Sequence, residues 1–393
     1  MSSTSWQIRW HSAIAEIPQI EWDRLAQPLA TPLLEWQWLH QLEASGSIAP
    51  HTGWYPRHLT IWQDNRLIGA APLYLKTHSQ GEFVFDQWWA RWAMEAGIAY
   101  YPKLVGMSPA TPAVGYRFLS APELENSRIQ TALVTVVDEF CTQAGISGCH
   151  LLFVDPEWSA GLPSSHYFSW RHQSFLWRNP GFTGFDDYLE RFKSIQRRNI
   201  RRERQSIARQ GVTVRCLNGE EIDPGWADLM FQYYLNTNAQ YGPWAARYLN
   251  EAFFRGIFEH LRHRLMLVAA FEPSQGEQPV ALSLLMHKHD QLIGRYWGSA
   301  RAIKDLHFNM CFYEPIQWAI AQGLRSFDPG AGSPHKIARG FEAVVNTSLH
   351  RFYQPKLKEL FARFIDGINE AELANIAALN AQLPFAAGRE PAG

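Results

Sequence analysis

Residues 326–342 read Ser-Phe-Asp-Pro-Gly-Ala-Gly-Ser-Pro-His-Lys-Ile-Ala-Arg-Gly-Phe-Glu, which sets Asp328, His335, Lys336 and Arg339 in a stretch broken by glycine and proline. Gly330 and Gly332 let the backbone come close to a bound group, and the cations at 336 and 339 suit phosphate or carboxylate oxygens. The His335 imidazole, with an unperturbed pKa of about 6.5, suits proton transfer near neutral pH. The plain alternative is a solvated turn, but loops with Gly, His and Arg beside a strand end are where function concentrates. The spacing is neither G-x-x-x-x-G-K-S/T nor G-x-G-x-x-G, so neither a hydrolysable nucleotide nor a nicotinamide is expected here.

Three further groups of polar residues stand out. His78, Glu82, Asp86 and Lys103 are set among Phe and Trp, where they either meet a ligand or pair with one another inside the fold. Arg197, Arg198, Arg201 and Arg202 fall at i, i+4 spacing on a predicted helix and make a basic face, either solvated or suited to tRNA or another anionic partner. His287 and His289 share an H-x-H spacing on a predicted strand without a third metal ligand, so no metal is expected.

The elements that must hold these residues belong to a folded globular chain. Its 393 residues suit two domains, and 17 Trp, 23 Phe and 14 Tyr supply ample apolar surface. Lys plus Arg (36) nearly balance Asp plus Glu (37), so no broad field draws the chain to DNA or a membrane. Four cysteines without a C-x-x-C pair argue against a zinc ribbon or a disulfide framework. The start lacks a basic region followed by a long apolar run, and no uncharged apolar stretch reaches membrane-spanning length. A cytoplasmic location is therefore expected.

Periodicity predicts a strand at 6–10, helices at 20–25 and 32–44, and a hairpin of 57–63 with 66–75 across Asp64-Asn65. A helix at 129–145 and a strand at 149–154 follow. The second half repeats the grammar: a helix at 185–210, a strand at 212–217, helices at 226–239 and 244–263, strands at 265–271, 280–289 and 291–298, a helix at 305–323 and a strand at 325–328. This order suits an α+β fold rather than a doubly wound sheet. A domain boundary is expected near residue 178, before Asn179-Pro180-Gly181, giving lobes 1–178 and 179–393. The tail from Asn375 is rich in Ala, and its closing Gly-Arg-Glu-Pro-Ala-Gly is expected to bury little and to leave the end frayed.

Residues 328–341 with Thr347-Ser-Leu-His350 resemble the signature of the FemAB-like family of the GNAT superfamily, a family linked to peptidoglycan. Leu73–Asp86, Tyr100–Leu104, Gln196–Arg204, Tyr296–Gly298, Leu306–Phe308 and Cys311–Tyr313 resemble it too, so the likeness spans roughly residues 16–354. The resemblance implies two tandem GNAT-like lobes with mixed, mostly antiparallel sheets flanked by helices. It also implies transfer of an acyl or aminoacyl group from an activated donor to an amine, on a peptidoglycan precursor or a related amino-acid conjugate.

Such chemistry needs a base, for which Asp328, Glu314 and His335 are candidates, and donors for a developing oxyanion. Lys336, Arg339, Arg295, Tyr296, Trp297 and His307 are the expected binding residues in the second lobe, and His78, Glu82, Asp86 and Lys103 in the first. Tandem lobes of this kind commonly place their site in the cleft between them. The chain departs from the family pattern at Asn309 and at Ser333-Pro334, where relatives carry Glu and Gly-Glu, and Ser299-Ala-Arg301-Ala-Ile-Lys304 replaces the usual pyrophosphate turn. A non-catalytic recognition protein for a peptidoglycan-precursor-like ligand is therefore the alternative. Acyl-coenzyme A and aminoacyl-tRNA both stay open as donors, and oligomeric state is not legible.

Overall fold

Asp64 and Asn65 both adopt left-handed backbone (φ 50° and 63°), as a two-residue hairpin turn requires and as short polar side chains tolerate. The turn joins strands His58–Gln63 and Arg66–Ala71 in antiparallel register, Gln63 opposite Arg66, where the hairpin was expected. The computed structural model describes residues 6–122, 126–162, 167–242, 245, 247–332 and 334–386.

In chain order the described strands are β1 (Gln7–His11), β2 (Trp54–Pro56), β3 (His58–Gln63), β4 (Arg66–Ala71), β5 (Leu73–Lys76), β6 (Lys103–Gly106), β7 (Leu119–Ser120), β8 (Gly148–Leu151), β9 (Phe168–Arg178), β10 (Thr213–Asn218), β11 (Leu265–Phe271), β12 (Ala281–Lys288), β13 (Gln291–Ser299), β14 (Ser326–Asp328) and β15 (Glu342–Phe352). The helices are α1 (Gln19–Ala26), α2 (Trp36–Ala44), α3 (Gln87–Glu95), α4 (Asn126–Gln143), α5 (Pro156–Ala160), α6 (Phe185–Glu190), α7 (Ser194–Arg209), α8 (Ala227–Ala239), α9 (Glu251–His260), α10 (Leu306–Phe308), α11 (Glu314–Ala321) and α12 (Pro355–Asn380). The chain divides into two units, Met1–His172 with Val345–Leu373, and Gln173–Val344 with Ala374–Gly393.

In unit 1, β1, β3, β4 and β7 form one antiparallel sheet. A second run places β2, β5 and β6 antiparallel, then β6 parallel to β8, then β8 antiparallel to the end of β15. The parallel step needs a crossover, and α4 supplies it. The many tryptophans pack here with their N–H groups satisfied: Trp22 donates to Leu34 O (2.8 Å), Trp38 to Ser108 Oγ (2.8 Å) and Trp158 to Gln130 Oε1 (2.9 Å).

Unit 2 repeats this grammar. Strands β10 to β13 are antiparallel neighbours, β13 runs parallel to β14 through the crossover of α10 and α11, and β14 is antiparallel to the end of β9. Its core gathers Trp177, Tyr188, Phe192, Ile200, Phe327 and Phe341 among others.

Several expected elements differ. The helix over 185–210 is two, because the chain turns at Arg191-Phe192-Lys193 to bury Phe192 in the core. Residues 244–263 hold α9, capped when Asn250 Oδ1 accepts from Phe253 N (3.0 Å); the expected start at Trp244 lies outside the described residues. The helix over 305–323 widens into a π turn at Asn309–Tyr313, because Pro315 lacks the amide that would bond the Cys311 carbonyl. The Ala-rich tail begins inside α12, which runs to Asn380, and Ile376, Leu379 and Phe385 are buried in the core of unit 2. Residues 387–393 lie outside the described residues.

Phe385 meets Phe192 at 5.3 Å between ring centroids and carries the Arg191 guanidinium at 4.2 Å. Phe385→Ala is expected to destabilise the protein by about 3 kcal/mol, read as a lower Tm and denaturant midpoint at unchanged secondary structure. An unchanged midpoint would show that this segment does not anchor unit 2.

Candidate functional site

In unit 2, β13 and β14 pair in parallel for three positions only, Gln291–Ile293 against Ser326–Asp328. Beyond them Pro329 crosses so near β13 that a Cβ on Gly294 would lie 3.2 Å from the Pro329 carbonyl carbon, and one on Gly330 would lie 3.0 Å from Gly294 O. On the other edge of β13 the register with β12 slips at Arg295, a one-residue bulge of the kind that re-aims side chains. Helix α8 lies against the strand: Thr237 Oγ1 donates to Trp297 O (2.8 Å), Asn236 Nδ2 donates to Ser299 O (3.0 Å), and a Cβ on Gly298 would sit 2.0 Å from Tyr233 O.

The loop after β14 is held from inside. Asp328 Oδ1 accepts from Gly330 N (2.8 Å), and the buried Lys336 Nζ donates to Gly330 O (2.6 Å) and Ala331 O (3.0 Å). Burial lowers Lys336 to about 8 against the pull of Asp328, and burial raises Asp328 despite the Gly330 amide and the Lys336 and Arg295 charges. Ser333 lies outside the described residues.

His307, on α10, faces the same charges. Its imidazole reaches solvent yet lies in a recess walled by Trp297 (4.9 Å between ring centroids), Phe308 (5.6 Å) and Phe312 (5.4 Å). Desolvation in that recess, then Arg339, Lys336 and His335, bring it down to about 4, so it is a neutral base at physiological pH. Cys311, one turn on, places its thiol 3.6 Å from Ser283 Oγ and is pushed up to about 12 by burial.

Arg339 is tied down. It donates to both Glu203 oxygens (3.3 and 3.1 Å) and to His335 O (2.9 Å), and its guanidinium lies 3.4 Å from the Phe308 ring centroid. Tyr313 OH also donates to Glu203, so this carboxylate on α7 holds the loop and the π turn to one helix. Glu314 accepts from Arg204 (2.8 Å), and no contact joins it to Asp328, Lys336 or His307 among the described residues. His335 is exposed at the loop surface. Tyr296 accepts from Arg295 (2.9 Å) and packs against Tyr234 and Phe254.

The four arginines lie on α7, whose Ile200 and Ile207 face the core. Arg198, Arg201 and Arg202 are exposed, Arg197 is half-buried, and Arg201 meets Asp186 at 3.3 Å. His289 sits at φ 51° in the turn after β12, so it does not share a strand face with His287 as the spacing implied.

In unit 1, Glu82, Asp86 and Lys103 come together. Lys103 Nζ donates to Glu82 Oε2 (2.7 Å), to Ser79 Oγ (2.8 Å) and to Asp86 Oδ2, which also accepts from Tyr100 OH (2.8 Å). Lys76 Nζ donates to Gln80 O (2.9 Å) and lies 3.5 Å from the Trp54 ring centroid. All four charged groups are buried, so they strap residues 77–86 to β5 and β6, and direct contact with a ligand requires that loop to move. His78 lies against Gly53, where a Cβ would meet its Nε2 at 2.2 Å.

Burial raises Glu82 to about 7 and lowers Lys76 to about 7. In Asp86 burial pulls upward, but Lys103, Ser79 and Tyr100 outweigh it and hold the carboxyl low; in Lys103 burial pulls downward, but the two carboxylates outweigh it and hold the ammonium high.

Sequence reasoning missed Glu203, Ser283, Cys311 and Lys76 as members of these clusters. Gly298 carried a legible sign, since glycine inside a strand marks a close backbone approach.

Each unit carries a helix-linked parallel strand pair inside a mostly antiparallel sheet, and the chain has the α+β fold of two tandem GNAT-like lobes. It is similar to FemX (TM-score 0.53, 11% identity, covering 90% of this chain and 99% of that one). It is also similar to the C-terminal domain of a lysylphosphatidylglycerol synthetase from Agrobacterium fabrum described as putative (TM-score 0.51, 10% identity, 90% and 97% covered). A tandem GNAT protein from the clavulanic acid biosynthesis pathway is a more distant structural match (TM-score 0.43, 12% identity, 89% and 99% covered). No curated protein sequence matches the chain. The model of the FemAB-like family, described as peptidoglycan biosynthesis/recognition, matches residues 13–387, and the chain belongs to that family.

Glu82 gives a signed pH effect. Folded, it keeps its proton to about 7 against the usual 4.5, so between those values the native state binds the extra proton and this group's contribution to stability falls as pH rises. Glu82→Gln should therefore gain in Tm relative to the parent between pH 5 and 7. A constant Tm difference across that range would contradict the raised carboxyl.

Proposed function

We propose that the chain is an N-acyltransferase that moves an acyl or aminoacyl group from an activated donor to an amine of a peptidoglycan precursor or a related amino-acid conjugate, with its chemistry in unit 2. The observation that carries this reading is the neutral, solvent-reachable His307 imidazole, which feels the Arg339 and Lys336 charges, in a chain of the FemAB-like family. As the amine nitrogen forms its bond to the donor carbonyl carbon, His307 takes the amine proton. The leaving alkoxide or thiolate recovers that proton when the tetrahedral intermediate collapses. Lys336 and Arg295 supply the positive field that favours the developing oxyanion. Asp328, through the Gly330 amide, keeps the loop that presents Lys336 in shape. The exposed arginines of α7 suit a polyanionic donor such as aminoacyl-tRNA. Two outer carbonyls of β13 are already used by Thr237 and Asn236, which disfavours a donor that pairs along that strand, as an extended pantetheine arm would.

One observation favours recognition without turnover. The buried Asn309 amide donates to Glu203 O (3.1 Å) and Asp305 O (2.9 Å), so where relatives are expected to carry a carboxylate this chain has a group already engaged in holding the helix.

The test is transfer from labelled aminoacyl-tRNA or acyl-coenzyme A to soluble peptidoglycan precursors, followed by mass spectrometry. His307→Ala is expected to lower kcat by about 100-fold or more with little change in donor binding. Because His307 is already neutral, the acid limb of the parent's rate should lie below pH 5. Binding of a precursor with no product from any donor would favour recognition, and full activity in His307→Ala would remove its role as base.

A further inference from the structure

Residues 82–94 are inside out. Glu82 and Asp86 are 1% and 2% exposed, while Phe85, Trp88 and Met94 are 70%, 63% and 73% exposed. Lys103 draws both carboxylates inward, and the Asp86 N–H bonds to Val84 O (2.9 Å), which closes a tight turn with Phe85 on its outer side. On α3, Trp89 and Ala93 face the core, so Trp88, Arg91 and Met94 occupy the outer side together with one acid, Glu95. Trp92 meets Phe364 of α12 at 5.5 Å between ring centroids, which joins the two helices in one surface. Phe364 is 39% exposed, and the half-buried Leu360 and Ile368 flank it one turn either side.

Apolar surface of this kind, held outward while carboxylates are held inward, marks a face that meets something other than water. Its charges indicate what. The Arg91 guanidinium lies 5.1 Å from the Trp88 ring centroid and Arg363 lies 5.6 Å from that of Phe364, so two of the exposed rings carry a cation at their side. Aromatic bodies with arginines beside them are the composition of segments that lie in a bilayer interface: the rings enter the headgroup and acyl boundary, and the guanidiniums meet phosphates. No helix among the described residues is long and apolar enough to cross a membrane, so attachment here would be peripheral.

We propose that this face of unit 1, carried by Phe85, Trp88, Arg91, Arg363 and Phe364, docks on the surface of a bilayer rich in anionic lipid. The inference does not depend on the reaction assigned to unit 2.

The full chain is sedimented with vesicles of phosphatidylcholine alone and of phosphatidylcholine mixed with phosphatidylglycerol. Binding is expected to the mixed vesicles and to weaken with salt. Arg91→Glu with Arg363→Glu should weaken it by about tenfold or more, since each cation near such a surface adds roughly 1 kcal/mol. Phe85→Ser with Trp88→Ser should weaken binding to a similar degree with Tm unchanged, because both side chains are exposed.

Absence of binding to the mixed vesicles would overturn the proposal. So would binding that survives both pairs of substitutions but is lost when Arg198, Arg201 and Arg202 of α7 become Ala. Light scattering that shows a dimer broken by Phe85→Ser with Trp88→Ser, without vesicle binding, would assign the face to a second copy of the chain instead.

Discussion

Strands β13 and β14 stay paired for only three residues, and the candidate site in unit 2 follows from what forces them apart. Pro329 ends the pairing because it has no amide to give a ladder, and the crossing is close enough that a Cβ at 294 or 330 would press on the facing backbone. The chain must then turn over the strand ends, and Lys336 reaches back to two of its carbonyls. With that loop in place, the crossover helix can set His307 against Trp297 and beside the Lys336 charge.

Buried lysines reach opposite electrical outcomes according to their partners. Lys103 meets two carboxylates, and their attraction exceeds the cost of desolvation, so the ammonium is held charged. Lys336 and Lys76 meet carbonyl oxygens, which satisfy N–H donors without offsetting the loss of water around a full charge, and both are lowered towards neutrality. The first arrangement fixes a loop. The second leaves amines whose charge is sensitive to their surroundings, and of the two only Lys336 lies in the candidate site of unit 2.

Helix α7 links the basic surface to that site. Its exposed arginines stand on the face opposite Ile200 and Ile207, while Glu203 turns inward to Arg339 and Tyr313. The exposed arginines and the Arg339 of the loop after β14 are therefore joined through a single helix, by contacts that substitution of Glu203 would break.

Local features were legible in the sequence wherever local chemistry decides structure. The Asp64-Asn65 hairpin, the amphipathic run of α7 and the glycine-rich loop after β14 follow from residue types that tolerate left-handed backbone, alternate by helical period, or lack a Cβ. The family resemblance read from 328–341 and the other segments agrees with a family match over residues 13–387. Long-range partnership was not legible, since it depends on which distant strand lies alongside. Nothing near Glu203 announces Arg339, 136 positions away, nothing near Cys311 announces Ser283, and nothing in the Ala-rich end announces that Phe385 packs on Phe192. Protonation was equally hidden, because the types His and Lys set only reference values. The sequence by itself determined the fold class, the family and most of the elements. Only the tertiary structure decided that Arg339, Glu82 and Lys103 are bound to their neighbours while His307 is held uncharged among aromatic rings, because desolvation and pairing depend on burial, and burial is a property of the packed chain.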